Sequence, residues 1–434
     1  VTIEPRQTGH PTVEPDRART PNVQTFFSGL AICAVWCLTF WMTLPVRADG
    51  GQPNSFRVIT YNVLVGFTTD HGEERKAGIT DWLATQAPDV VAFQELNGYT
   101  ESQLIAEAAA WGHNYGAITN NPYRIGLTSR SPIEVIEMQT EGMLHGLLHA
   151  KTAGIDFFVT HLSAFRYAHR QQEAQIILQK VSDVTNMGGH AIVLGDLNSL
   201  SQVDQDAGLI PSATLDFYRW VDSTNEYIEN LHYDVNPEGE LNFTVMQSFL
   251  DGPLIDPFVQ HTSLEEYPYP RWGFGRIDYL LATSDLAAQS TAAEWVTEGM
   301  TTTLPNGTMV NLSDHFPMIV DFSAGDVNND GDVDELDVPA FVAALTADGN
   351  EDVFSLVYPN GIQRAADTNW DGQINNLDIG PLINMLREST TEAQNPAAGI
   401  VPEPGTLSLL ALMALGLLRP AQRRAVRWPC GSDR

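Results

Sequence analysis

The sequence predicts an α/β (α+β) fold in which two packed sheets are flanked by helices, followed by a smaller duplicated module. Three observations carry this. Strand-length runs of β-branched and apolar residues alternate with helical spacing from Phe56 to Phe322. Several of those runs lie close enough in sequence to pair as hairpins, which argues against a purely parallel sheet. Finally, one run after another ends on a polar residue able to do chemistry.

Taken in order, Phe56 to Tyr61 reads as a strand ending on Asn62, and Arg75 to Gln86 places Ile79, Trp82 and Leu83 at helical spacing. After Pro88, Asp89 to Glu95 is again a strand. A second helix runs from Glu101 to about Trp111, with strands near Tyr123–Ser129, Leu144–Lys151 and Ile155–His161, then a long helix from Tyr167 to Val184. The run Ala191-Ile192-Val193-Leu194 is a buried strand that passes through Gly195 and delivers Asp196 and Asn198 to an edge. From Asn198 to Arg271 the periodicity is weak and predicts loop and short helix. Strands return at Arg276–Ala282 and Phe316–Phe322, and Ser323–Gly325 is a joint.

The chain has 434 residues and a net charge of -31. The acidity falls on both candidate domains: residues 55–322 carry 12 basic and 34 acidic side chains, and residues 323–390 carry 2 and 13. Such a surface repels polyphosphate, which disfavours a protein that coats or slides along nucleic acid but not one that cuts a single phosphoester with a metal's help. Phe26 to Leu44 is apolar and uncharged, preceded by Arg6, Arg17 and Arg19 and followed by Val46-Arg47-Ala48. Residues 1–48 therefore read as an export signal, with an uncleaved anchor as the alternative. Cys33 and Cys37 lie in that run and Cys430 in the basic tail, so a processed chain would hold no disulfide.

Beyond the joint lies a repeat. Asp326, Asn328, Asp330, Gly331, Asp332 and Asp337 align position for position with Asp367, Asn369, Asp371, Gly372, Gln373 and Asp378. Oxygen ligands at loop positions 1, 3, 5 and 12, a backbone carbonyl at 7 and a glycine at 6 are what a Ca²⁺ loop requires. Each loop precedes an apolar helical pattern, at Val338–Leu345 and Ile379–Leu386. Residues 326–387 resemble the type I dockerin domain, which implies two structural Ca²⁺ sites and a cohesin-like protein partner.

Further on, Val401-Pro402-Glu403-Pro404 precedes the apolar run Leu407–Leu418 and then Arg419, Arg423, Arg424 and Arg427. A helix of that run would be about 18 Å long, short for a hydrocarbon core of about 30 Å. Residues 401–428 resemble the PEP-CTERM sorting signal of Gram-negative bacteria. That implies processing by an exosortase, transient membrane association through the terminal apolar segments, and an exported, cell-surface or extracellular product. An ordinary C-terminal anchor is the alternative.

The polar strand ends form an ordered set: Asn62, Gln94-Glu95, His161, Asp196 with Asn198, Asp278 in Arg276-Ile277-Asp278, and Ser313-Asp314-His315. Each alone has an ordinary reading, Asp278 for example as a surface partner of Arg276. Together and in this order they resemble the endonuclease/exonuclease/phosphatase superfamily, the deoxyribonuclease-I-like fold, over residues 55–322. The resemblance implies a four-layer α/β/β/α sandwich that hydrolyses phosphoesters with Mg²⁺ or Mn²⁺.

In those roles Glu95, with Asn62 and Asp314, is a hard-oxygen set for Mg²⁺. His315, oriented by Asp278, activates water or binds phosphate; Asp196 is the rival general base; Asn198 contacts the transition-state oxygens and His161 the phosphate. The text Trp272-Gly273-Phe274-Gly275 before Arg276 disfavours the inositol-phosphate phosphatases. The aromatic run Tyr267–Trp272 stacks a base or sugar, or packs a loop. The expectation is an exported phosphodiesterase, most plausibly a nuclease acting on nucleic acid. A sphingomyelinase-like lipid phosphodiesterase or a phosphatase is the alternative, and an inactive scaffold displayed through the dockerin-like module is the rival from another class.

Overall fold

The computed structural model describes residues 55–224, 240–262, 275–347 and 350–392. The expected export signal, the C-terminal sorting signal and the aromatic run Tyr267–Trp272 lie outside the described residues.

Fourteen strands are described: β1 (Ser55–Asn62), β2 (Val90–Gln94), β3 (Tyr115–Ile118), β4 (Gly126–Ser129), β5 (Glu134–Gln139), β6 (Leu147–Thr152), β7 (Ile155–His161), β8 (Ala191–Asp196), β9 (Leu254–Ile255), β10 (Asp278–Thr283), β11 (Ser290–Trp295), β12 (Thr301–Thr303), β13 (Met309–Asn311) and β14 (Met318–Ser323). Twelve of them make two six-stranded sheets, ordered β11-β14-β1-β2-β4-β3 and β5-β6-β7-β8-β10-β9. Phe157, Val159, Ile192 and Leu194 of one sheet meet Val58, Val90, Ala92 and Val320 of the other in a core with no water-facing side. Burying each Val, Ile, Leu or Phe among them stabilises the fold by about 1.5–3 kcal/mol relative to leaving it exposed. Helices Gly72–Gln86 and Glu101–Ala108 cover the first sheet, and Tyr167–Asn186 and Thr244–Leu250 the second. The result is the expected four-layer α/β/β/α sandwich.

Each sheet holds one parallel pair, β1 with β2 and β7 with β8. A parallel pair needs a crossover, here helices Gly72–Gln86 and Tyr167–Asn186. The four strands of these pairs therefore end at one edge, with Asn62 in register with Gln94 and His161 with Asp196. Strand β10 runs antiparallel to β8 and starts there, Asp278 opposite Asp196. The loop carrying Ser313–His315 reaches the same edge because β14 runs antiparallel to β1.

Local readings needed correction where strands are short or exposed. The strand expected near Tyr123–Ser129 is β4, with an unanticipated partner, β3; β5 and β11 mix polar with apolar residues, and β12 and β13 are only three residues long, too short to show an alternating face. Within 198–262 there are helices at Gln202–Asp206, Ala213–Thr224, Thr244–Leu250 and Pro257–His261. Arg276 is not a surface partner of Asp278. Its guanidinium is fully buried, donating to Asp204 Oδ2 (3.2 Å) and Oδ1 (3.0 Å) and to Asp256 Oδ2 (2.6 Å), between the rings of Phe258 and Tyr279.

His113 is wholly buried away from the polar edge, where Nε2–H donates to the Pro88 carbonyl (2.9 Å) and Nδ1 accepts from Thr128 Oγ1 (2.9 Å). Burial pushes its pKa down to about 4 from 6.5. The unfolded chain then binds the proton more readily between those two values, so stability falls as pH drops from about 6.5 towards 4. The full shift corresponds to about 3 kcal/mol. His113→Gln is expected to flatten that part of the stability–pH curve, measured by urea unfolding at pH 7.5, 6 and 5; an unaltered slope would remove His113 as its source.

The duplicated module has its own core of Phe341, Ala344, Phe354, Leu382 and Leu386. Helices Asp337–Ala347 and Ile379–Glu392 follow the two loops, while the short helix Glu351–Ser355 and a 3-10 turn at Gln363–Ala366 precede the second loop.

Candidate active site

Gly195 explains how the polar edge is assembled. Its φ of +137° and the position of Thr160 O, 2.0 Å from where a Cβ would sit, exclude any side chain there. The buried Gln94 amide reaches from β2 to the same point, held by Thr60 Oγ1 (3.0 Å). The two sheets thus approach closely, and Asp196 comes within reach of residues from both.

Asp196 is 2 % exposed. Its Oδ2 accepts from Asn62 Nδ2 (3.2 Å) and lies 3.3 Å from His161 Nε2 and 3.6 Å from His315 Nε2, while Oδ1 accepts from the Asn198 amide (2.9 Å). His315 Nδ1 pairs with Asp278 Oδ2 at 2.8 Å. Burial alone would lower the His315 pKa, but the charges of Asp278 and Asp196 outweigh it and hold the imidazolium well above its ordinary range. Burial raises Asp196, and pushes Asp278 up to about 6 against the pull of His315. His161 is driven down to about 3, first by burial and then by the His315 charge, so it is neutral at physiological pH.

Glu95 has φ +62°, a left-handed conformation uncommon outside glycine, and Asn198 has φ +46°, which asparagine adopts more readily. Backbone strain of this kind concentrates at functional sites. The Glu95 carboxylate accepts from Val65 N on Oε2 (2.7 Å) and from Asn62 Nδ2 on Oε1 (3.1 Å). Asn62 Oδ1 accepts from Leu64 N (3.1 Å), which turns the amide nitrogen, not the oxygen, towards Glu95 and Asp196. Asp314 is exposed and accepts from Ser313 Oγ (3.3 Å), and the same hydroxyl hydrogen bonds with Asn62 O at 2.7 Å. Asn198 Nδ2 spends one hydrogen on Leu162 O (3.1 Å) and keeps the other.

Asp196, Asp278 and His315 form a trio with ligand atoms within 4.8 Å of one another, a geometry able to hold a metal ion. His315 Nδ1 is committed to Asp278, which leaves Nε2 as the ring nitrogen that faces Asp196. The same three groups also form a chain, with His315 facing a carboxylate from each ring nitrogen, Asp278 at Nδ1 and Asp196 at Nε2. Among the described residues, the donors at this edge are the oxygens of Glu95, Asp196, Asp278 and Asp314, and one of them, Asp278 Oδ1, is buried without a partner. That set suits Mg²⁺ or Mn²⁺ and not a thiophilic metal.

Supporting residues escaped the sequence reading because nothing local marks them. Arg75 donates to Leu312 O (2.8 Å), Val63 O (2.7 Å) and Thr69 Oγ1 (2.6 Å), tying the loop after β1 to the loop before His315. Glu173 accepts from Leu144 N and Ser163 N (2.7 Å each), and Arg170 donates to Ser163 O (2.7 Å), fixing the loop after His161. The His145 ring lies 4.0 Å from that of His161, with exposed Tyr123 edge-on to it at 4.8 Å.

In the module, the two loops repeat the same turn. Asp326 and Asp367 each accept from the amides at positions 5 and 6 of their loop, and Asp337 and Asp378 from those at positions 3 and 9. Position 4, Asn329 or Trp370, has φ near +57° in both (+59° and +56°). Burial chiefly raises Asp337 and Asp367 to about 6, and carboxylates at these loop positions are the kind of oxygen donor that Ca²⁺ takes.

The sequence model of the Endonuclease/Exonuclease/phosphatase family matches residues 59–315, and that of the Dockerin type I domain matches residues 324–387. Human tyrosyl-DNA phosphodiesterase 2 is 26 % identical over 188 residues, 40 % of this chain and 51 % of that protein, so the match spans about half the relative's length. Solved structures with similarity include an AP endonuclease from Archaeoglobus fulgidus (18 % identity, TM-score 0.42, 62 % of this chain and 99 % of that one). A 3'-5' exonuclease from Neisseria meningitidis is similar at 18 % identity and TM-score 0.44, over 62 % and 99 %.

Proposed function

The chain belongs to the endonuclease/exonuclease/phosphatase family, and on that footing we propose that it is an exported, divalent-metal-dependent phosphodiesterase acting on nucleic acid. The observation that carries the reading is the convergence of Asn62, Glu95, Asp196, Asp278 and His315 at one sheet edge. DNA is the first substrate to test because the curated relative is a DNA phosphodiesterase. Export rests on the terminal segments and on the dockerin module at residues 324–387, for which we propose Ca²⁺ at Asp326, Asn328, Asp330, Asp332 and Asp337 and at Asp367, Asn369, Asp371, Gln373 and Asp378, and a cohesin-like partner.

Glu95, with Asp314, would hold Mg²⁺ or Mn²⁺, and Asn62 orients the Glu95 carboxylate. Bound there, the ion supplies a Lewis acid for the phosphoryl oxygens and the departing oxyanion. His315, flanked by two buried carboxylates, stays protonated and binds a phosphoryl oxygen, so Asp196 is the group left to take the proton from water. His161 offers a single N–H, which steadies Asp196, and the free amide hydrogen of Asn198 meets the developing charge.

A screen of the full chain with Mg²⁺ or Mn²⁺ against DNA, RNA, sphingomyelin and a simple aryl phosphate tests this. Cleavage of DNA or RNA is the expected result, preference for sphingomyelin or the aryl phosphate would move the assignment to a lipid phosphodiesterase or phosphatase, and no hydrolysis of any would end the enzyme reading.

A further inference from the structure

The two calcium loops are near copies, but their surroundings differ. In the first, Asn329, Asp330 and Gly331 face open solvent. In the second, the position-4 residue is Trp370, whose ring stacks on Phe56 of β1 with centroids 4.7 Å apart and planes at 16°. Trp370 packs there against the inter-sheet core of the hydrolase domain. The Arg364 guanidinium covers the ring from 4.8 Å, donates to Ala153 O (3.4 Å) in the β6–β7 turn, and lies 3.6 Å from Asp367, the first residue of the second loop.

The approach is close at backbone level too. A Cβ on Gly154, at the tip of that turn, would lie 2.4 Å from the Gly372 Cα, and one on Gly372 would lie 2.6 Å from the Gly154 Cα. Gly325 N donates to Ala365 O (2.8 Å), anchoring the joint to the turn that leads into the second loop.

We propose that the second loop is a calcium-linked clamp on the hydrolase domain, with Trp370 and Arg364 held against β1 and the β6–β7 turn by the folded loop. The proposal rests on the calcium reading of the module given above. A loop collapsed around an ion fixes the left-handed backbone at Trp370 and the carboxylate of Asp367, and through them the indole and the guanidinium. Without the ion the loop's carboxylates repel one another, and the ring loses the backbone that aims it. Among the described residues the first loop, with Asn329 at the same position, shows no such attachment, and its tip is exposed.

Trp370→Asn tests the clamp, since it installs the residue that the first loop uses at the same φ, and Trp370→Phe keeps a stackable ring. Amide hydrogen exchange at Thr152–Ile155 and at Ser55–Arg57 is read on the full chain with calcium and with a chelator, beside a calorimetric calcium titration. Calcium should slow exchange at both segments on the order of a hundredfold in the parent and in Trp370→Phe, the factor that a stacked pair and a desolvated cation–π contact together supply. Trp370→Asn should still bind calcium in both loops yet show no such slowing. Equal slowing in Trp370→Asn, or calcium binding by the parent without slowing, would overturn the clamp alone. Absence of calcium binding by the parent would overturn the calcium reading and the link with it, and the titration separates the cases.

Discussion

Asp196→Asn is expected to lower kcat by about 10²- to 10⁴-fold, the range that a positioned general base contributes. The substitution keeps the shape and the acceptor oxygen for the Asn198 amide but turns an NH2 towards Asn62, His161 and His315, so a lower thermal midpoint accompanies the loss of the proton acceptor and kcat is read on folded protein. Asp278→Asn separates the two candidate bases. Its charge holds His315 protonated, so removing it lowers the His315 pKa and moves the alkaline limb of the pH–rate profile towards lower pH, with appreciable rate left below that limb. If His315 were instead the base, it would work deprotonated, and Asp278→Asn would move the acid limb downward. Full activity of Asp196→Asn at any pH would remove Asp196 from proton transfer.

Glu95→Gln is expected to raise the Mg²⁺ concentration for half-maximal activity by about tenfold to a hundredfold or more. Its amide oxygen can still accept from Val65 N, so the strained turn at φ +62° keeps its anchor and the loss is one of charge at the ion. An unchanged Mg²⁺ requirement would transfer the ion to the trio of Asp196, Asp278 and His315. Titration by activity and by calorimetry reads the same constant twice and guards against an effect on turnover alone.

The chain's own text determined much of this. Ala191–Leu194 and Val90–Phe93 are uninterrupted apolar runs buried on both faces, and the β1 and β7 runs are broken only at Arg57, Thr60, Asp156 and Thr160, so these four strands and the polar residues at their ends could be read directly. The calcium loops were legible for a related reason: their ligands lie within twelve consecutive residues, so spacing alone states the geometry.

Tertiary structure decided what depends on distant partners. The pairing of Asp278 with His315, 37 residues on, was expected from the family resemblance, but spacing could not tell that Arg276 turns to Asp204 and Asp256. Nor could it show that Asn62 presents its amide nitrogen to Glu95, because that orientation is set by Leu64 N. The same holds for Trp370, which reads as one variable loop position and proves to be stacked on Phe56, more than three hundred residues earlier. Local pattern fixes which face of a strand or loop is apolar and which residues end it. Pairing across sheets and between modules is settled only when burial forces each charge and each ring to find a partner.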